Sequence, residues 1–371
     1  MPESLRPFYN PGPGEIIKDA MDELGWSQQD LADILGMTLK SINLILNNKQ
    51  SITPETATLL GKVFSTSAEM WMNLEAKYQL RKVKETSDGR FELARMKSEI
   101  NRLMPLAEVR QKGWTIYDTS TIYGIKGELQ RVFGTYRYLE ITEKLKENSF
   151  CARKKRTDDD CSFYYCNSWF AYAKLLGCKQ ELPKYDKEKL QELTKTLHLY
   201  TTKDDGVGKF IAKLKECGVG FFVLSHLKRT YLDGASFIHE ENPYIVYTGR
   251  YDRTDNFWFV LSHEISHILL HFNNLKEPHL DNLDQKPEEE TEVEADAKAS
   301  EILRSNEIVN LGTPYSKYLA ETRLVEIAGK TEVSPALVVG ILQHNKVIDY
   351  RRFSKYKTPV LKEIDKDYII G

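Results

Sequence analysis

The residues best suited to chemistry lie in one stretch, Leu261-Ser262-His263-Glu264-Ile265-Ser266-His267-Ile268-Leu269-Leu270-His271. It holds the pattern H-E-x-x-H, and residues four apart share one face of a helix. His263 and His267 can therefore aim two ring nitrogens at one cation, with Glu264 beside the first. Zinc suits two imidazoles and an open position, whereas manganese prefers more oxygen ligands. Such an ion acidifies water, and Glu264 is placed to take the proton as general base for attack on a peptide carbonyl. A chance match is the competing explanation. Against it stand the apolar flanks Phe257-Trp258-Phe259-Val260-Leu261 and Ile268-Leu269-Leu270. They predict a buried helix, in which an unsatisfied His-Glu-His set is costly. Thr254 and Asp255 are expected to cap it.

The motif leaves the third ligand open. His271 lies four residues past His267, but three positions at i, i+4 and i+8 on a straight helix are spread along its length at about 6 Å per step. They cannot all reach one ion through bonds of about 2 Å. A turn before the third histidine needs a glycine, and Ile268-Leu269-Leu270 supplies none. The acidic run Glu288 to Asp296 instead opens a helix whose buried side carries Ala295, Ala299, Ile302 and Leu303. At about 100° per residue Glu292 falls near the middle of that side and Glu294 points away. Glu292 is therefore the expected ligand, with Glu294 its rival. Asp296, one turn on, is expected to hold a ligating histidine by hydrogen bond.

These residues need a scaffold, and 371 residues suffice for two or three domains. With 41% hydrophobic and 29% charged residues the chain can bury real cores. A net charge of −2 excludes global attraction to nucleic acid, so any DNA contact must be local. No apolar run approaches a membrane span, and Met1-Pro2-Glu3-Ser4 does not open a signal peptide, so the expected location is the cytoplasm, without membrane contact. Cys151, Cys161, Cys166, Cys178 and Cys217 form no paired C-x-x-C and read as reduced thiols.

Five helices are expected over residues 13–85. Gly25 ends the first, and Ser27 caps the second, with Leu31, Ile34 and Leu35 inward. Gly36 turns the chain and Thr38 caps the third, with Ile42, Ile45 and Leu46 buried. Thr53-Pro54 starts the fourth, and the fifth follows Ser67. On the third helix Lys40, Ser41 and Asn43 face outward and can donate to base edges or phosphates. Gln28 is placed for a phosphate, and Asn47 and Lys49 for the DNA backbone. The segment 36–50 has two lysines and no acid, although residues 1–85 carry 9 basic and 11 acidic residues. Ser27-Gln28-Gln29-Asp30-Leu31-Ala32, Ile42 to Lys49 and Ser67 to Leu74 resemble the XRE/HigA type of helix-turn-helix domain. That resemblance implies a homodimer on operator DNA.

Residues 86–204 read as a helical linker and middle region. Leu93, Met96, Ile100 and Leu103 offer a stripe for dimer pairing, and Arg153 to Arg156 against Asp158 to Asp160 form a solvated loop. Strand patterns follow at 219–224, 235–238 and 244–247. Such a sheet could pair at its edge with an extended peptide. Two later helices, about 318–329 and 335–345, form a small cap, and the tail from Lys355 is expected to be loose.

Leu232-Asp233-Gly234-Ala235-Ser236-Phe237, Arg250 to Phe259, His263-Glu264-x-x-His267 and Glu292-Val293-Glu294-Ala295-Asp296 together resemble an ImmA/IrrE-type zinc metallopeptidase. Leu303-Arg304-Ser305-Asn306 departs from the Leu-x-x-Pro often found there. The E-x-x-x-D spacing from Glu292 to Asp296 is also what a gluzincin resemblance implies. The expected fold class is α+β, mostly helical. A helix-turn-helix domain at 1–85 and the helical region 86–204 precede a gluzincin-like metallopeptidase domain at 205–312 with a small sheet. A helical C-terminal region at 313–371 follows. The resemblance implies a DNA-binding regulator fused to a Zn2+ endopeptidase that cleaves a regulatory protein, a repressor or antitoxin-like partner, in a stress or mobile-element response. The alternative is a HigA-like antitoxin and autorepressor whose peptidase-like domain binds a toxin or ligand without cleaving. An intact Glu264 favours the first. No oxyanion group is identified, although Tyr247 and Tyr251 lie near the helix in sequence.

Overall fold

A computed structural model of the chain describes residues 11–85, 89–147, 160–272, 279–281 and 290–370. The Arg153 to Asp160 charge blocks fall largely outside these residues, as do Glu288, Glu289 and Cys151. The chain divides into two compact units, Met1–Glu92 and Leu93–Gly371. It is an α+β protein, mostly helical.

The first unit holds α1 (Pro13–Leu24), α2 (Gln28–Leu35), α3 (Leu39–Leu46), α4 (Pro54–Val63) and α5 (Ala68–Glu85). Ser27, Thr38 and Thr53 cap α2, α3 and α4, each accepting from the backbone N–H three residues on. Such caps contribute about 1 kcal/mol each. Gly36, at φ 64°, makes the left-handed turn between α2 and α3 that a side chain would strain. Ile17, Leu31, Leu35, Ile42, Ile45, Leu46, Leu60 and Trp71 close one core. Ile34, expected inward, is 46% exposed. The short α2 turns Leu31, Ala32 and Leu35 to the core, and Ile34 falls off that face. The fifth helix runs 18 residues, longer than its neighbours.

The second unit begins within α6 (Arg90–Leu103), followed by α7 (Leu106–Gln111), α8 (Ile122–Phe133), α9 (Tyr138–Glu147) and α10 (Asp160–Gly177). Next come α11 (Lys187–Lys195), α12 (Leu197–Tyr200) and α13 (Gly206–Glu216). The strands β1 (Gly220–Leu224), β2 (Gly234–His239) and β3 (Asn242–Tyr247) lead into α14 (Thr254–His271). After β4 (His279–Asp281) follow α15 (Glu290–Ile302), α16 (Ser305–Gly312), α17 (Glu321–Thr331), α18 (Pro335–His344) and β5 (Ile369–Ile370). The sheet order is β4-β2-β3-β1-β5. β1 is parallel to β3 and to β5, and β2 is antiparallel to β3 and to β4.

Alternation along the strands gives the sheet two buried faces. Phe221, Val223, Ile245 and Tyr247 join a core with α13, α14 and α18. Phe222, Leu224, Phe237, Tyr244 and Val246 join a second core with α6, α7, α8 and α10. The stripe on α6, expected to pair with another copy, is spent here. Ile100 and Leu103 are buried against this second core, with Leu93 and Met96 packed on it. Also in this core, the carboxylate of fully buried Glu128 pairs with Arg131 and accepts from the Tyr172 hydroxyl at 2.8 Å. Burial, with the Glu128 charge beside it, pushes the Tyr172 phenol well above its ordinary range.

The tail is docked, contrary to expectation. Val360 and Ile364 are buried, the N–H groups of Val360 and Leu361 both donate to Asp252 Oδ1 at 2.8 Å, and β5 pairs with β1.

Candidate metal centre and nucleic-acid face

α14 is buried over nearly its whole length because it lies between the sheet, α15 and α18. Arg253, not Thr254 or Asp255, is its N-cap residue. Thr254 already has helical geometry, and its N–H donates to Thr358 O at 3.0 Å. Asp255 sits in the first turn, where it pairs with Arg253 at 3.1 Å.

One turn apart on α14, His263 Nε2 and His267 Nε2 stand 3.0 Å from each other. α15 crosses α14 and brings Glu292 Oε2 to 3.5 Å from the first and 3.9 Å from the second. Those three atoms lie within 4.8 Å of one another. In a tetrahedral zinc site with bonds of about 2.1 Å, neighbouring ligand atoms stand about 3.4 Å apart. The observed separations bracket that value, and two imidazoles with one carboxylate make a donor set suited to zinc. The residues present therefore fit a divalent ion. Asp296 Oδ1 is 2.8 Å from His263 Nδ1, the far side of the same ring. It fixes the ring and aims Nε2 at the cluster.

Helix phase separates the acids of α15. The Glu292 side chain is 17% exposed and that of Glu294 is 54%. Glu294 lies 3.5 Å from His271 Nε2, which also contacts Thr291 O at 3.2 Å. His271 thus ties the end of α14 to the start of α15, away from the three clustered atoms. The helix after them ends without proline. Arg304 takes the left-handed conformation at φ 55°, and its guanidinium donates to Thr331 O at 3.2 Å.

Glu264 is fully buried on the same helix. The feature that makes room for it lies within the Leu232 to Phe237 stretch of the resemblance, which gave it no role. A Cβ on Gly234 of β2 would lie 2.6 Å from Glu264 Oε1 and 2.5 Å from Val260 Cγ1. Asp233 is 1% exposed and within 3.5 Å of Arg250 Nη1, whose guanidinium lies over the Tyr251 ring at 4.8 Å. Nothing in spacing alone points to Asp233 or Gly234, since both act across the sheet. Tyr247 is unsuited to an oxyanion role. It is 1% exposed, and its hydroxyl donates to Tyr251 O at 2.8 Å. The guanidinium groups of Arg250 and Arg253 lie 4.8 and 5.6 Å from the Tyr251 ring centroid.

In the first unit, Lys40, Asn43, Asn47 and Lys49 are exposed, and Gln28 and Ser41 are half-buried. The six are partly pre-set. Asn43 Nδ2 donates to Gln28 Oε1 at 3.2 Å, and Asn47 Nδ2 donates to Asn43 O at 2.8 Å. The Ser41 hydroxyl is 2.9 Å from that of Thr38. Gln28, Asn43 and Asn47 thus form one hydrogen-bonded chain across α2 and α3, with Lys40 and Lys49 exposed near it in sequence.

A helix-turn-helix family model matches residues 17–71, and an IrrE N-terminal-like domain model matches residues 220–339. The HTH-type transcriptional regulator YddM of Escherichia coli is 33% identical over 79 residues, which is 21% of this chain and 84% of that one. A solved HigA-family addiction module antidote protein of Coxiella burnetii is 32% identical, over 23% of this chain and 94% of that chain, with a TM-score of 0.22. The Pseudomonas aeruginosa antitoxin HigA, solved with the higBA promoter, is 32% identical over 23% of this chain and 92% of that chain, with a TM-score of 0.22. The helix-turn-helix match lies within the first unit, and the IrrE-like match runs from β1 through α14 and α15 into α18. The chain belongs to the XRE-type helix-turn-helix regulators and carries, behind that domain, a metallopeptidase-like domain of the IrrE N-terminal-like family.

Proposed function

We propose that this chain is a DNA-binding transcriptional regulator with a zinc-dependent endopeptidase domain that cleaves a regulatory protein, a repressor or antitoxin-like partner. The observation that carries the reading is the meeting of His263, His267 and Glu292 within 4.8 Å beside a buried Glu264. These three residues would hold the ion. When bound, zinc supplies a Lewis acid that acidifies water and polarises a carbonyl. Glu264 accepts the proton of the attacking water and passes it to the leaving amine. Asp296 keeps His263 in the tautomer with its Nε2 lone pair toward the cluster. Gly234 leaves Glu264 the space to turn.

The polar side chains of Gln28, Lys40, Ser41, Asn43, Asn47 and Lys49, three of them joined by hydrogen bonds, support operator binding, as does 33% identity to an HTH-type regulator. On this reading the chain works as a dimer across an inverted repeat. A stress or mobile-element response is the setting in which cleavage of a repressor would release genes.

Likeness to antitoxins over the first unit keeps a second reading in view, in which the chain captures a toxin and cleaves nothing. One experiment separates the two. Purified chain with zinc is mixed with lysate of its own host, and new protein N-termini are compared with those from Glu264→Gln. The proposal expects a small set of cleavages that need Glu264. Identical patterns from both proteins would reject the peptidase and favour capture.

A further inference from the structure

One side chain on α3 is explained neither by the core nor by the hydrogen-bonded chain of Gln28, Asn43 and Asn47. Leu39, the first residue of the helix, is 46% exposed. The start of the helix is fixed without it. Thr38 Oγ1 accepts from the Ser41 N–H at 3.2 Å, and Met37 packs on the core that holds Ile42, Ile45 and Leu46. Leu39 belongs neither to that core nor to the side chains packed against it. A lone exposed leucine is ordinary on most surfaces. Its neighbours make this one different.

Residues four apart share a helix face. Leu39, Asn43 and Asn47 follow one another at that step, and all three are exposed. Asn47 Nδ2 donates to Asn43 Oδ1 at 3.2 Å, and Lys40 is exposed beside Leu39 in sequence. This face of α3 therefore opens on one apolar group and continues in amides. In a helix-turn-helix domain the N-terminal residues of this helix are the ones that reach base edges in the major groove. Those edges carry hydrogen-bonding groups on every base pair, and thymine adds a C5 methyl group. Leucine has no donor or acceptor. Set against a base edge that offers only polar groups, it would remove water from them and return no hydrogen bond. Against a thymine methyl it buries carbon on carbon.

We propose that Leu39 is a specificity-determining residue of the DNA face, packing on the C5 methyl of one thymine in the half-site its chain contacts. On the operator-binding reading, which this inference extends, Lys40 and Asn43 supply polar contacts. Leu39 separates thymine from cytosine at its position, because cytosine lacks the methyl and presents an N–H donor instead.

The test begins with selection of binding sites from a pool of random duplexes by the full chain. The selected site is then remade with each thymine in turn replaced by uracil, which removes the methyl and keeps the base pairing. At one thymine of the half-site, uracil should weaken binding by about fourfold, the contribution of one buried methyl. L39A should lose that penalty, a coupling read as a double-mutant cycle between side chain and methyl. Its melting temperature should match the parent's, since the side chain lies outside the core. A uracil penalty that L39A leaves unchanged would overturn the proposal, as would a selected site in which no uracil weakens the parent. In both cases operator binding itself would stand. Selection of no sequence at all would reject operator binding and the role of Leu39 together.

Discussion

At Gly234 a single absent carbon leaves room for the carboxylate of Glu264, the proposed general base. Gly234→Ala puts a methyl 2.6 Å from Glu264 Oε1, and Val260 blocks the other side at 2.5 Å. Misplacing a general base by this much costs about a hundredfold in rate. We therefore expect host-protein cleavage by Gly234→Ala to fall at least that far while bound metal, measured by mass spectrometry, is retained. Unchanged cleavage would mean that the carboxylate works from elsewhere. Asp296→Ala frees the far side of the His263 ring and should weaken zinc binding by about 10–100-fold in competition with a chelator. The placement of Glu292 and Asp296 beside His263 was legible in the sequence because both depend on the phase of one helix, and Ala295, Ala299 and Ile302 set that phase. The resemblance included Gly234, but its place against Glu264 was not legible, because that contact runs from β2 to α14 and leaves no periodic trace.

Among the elements, α3 carries the DNA prediction. Lys40→Ala with Asn43→Ala should weaken binding to an operator by about 1–3 kcal/mol for each base-edge hydrogen bond removed, read by footprinting at low salt. Protection that the double variant leaves intact would move recognition off α3. The boundaries of α1 to α4 were readable from Gly25, Ser27, Gly36, Thr38 and Thr53-Pro54, because caps and glycine turns are local chemistry. Ile34 was misread because helical spacing alone does not say how narrow the buried face of an eight-residue helix is. β4 and β5 were not read at all, since three and two residues cannot show alternation. Glu128 on α8 was also invisible, its partner Tyr172 being 44 residues away. Removing one member of a buried pair costs about 3–5 kcal/mol, so Glu128→Ala should lower unfolding stability by that order in a denaturant titration. A loss no larger than that of an exposed glutamate would show that the pair is solvated.

Across the whole molecule, the division into a regulator domain and a metallopeptidase-like domain was legible from motifs. The depth to which the middle helices enter the second core was not, because it depends on contacts such as Phe170 with Phe237. Stability should also depend on pH. Burial holds His198 and His226 below the ordinary histidine value, with Arg304 adding to the first and Lys112 and Arg250 to the second. The unfolded chain therefore takes protons first as pH falls. Their contribution is present above the ordinary value of about 6.5 and is lost as pH falls below it. Melting temperatures measured between about pH 7.5 and 5.5 should decline, and the decline should be shallower in His198→Gln. The measurement that bears most directly on the metallopeptidase reading is zinc per chain after supplementation and gel filtration. The parent and Glu264→Gln should each hold one zinc, Glu294→Ala should match them, and Glu292→Ala should lose the metal. Substoichiometric zinc in the parent, or loss from Glu294→Ala with retention in Glu292→Ala, would contradict it.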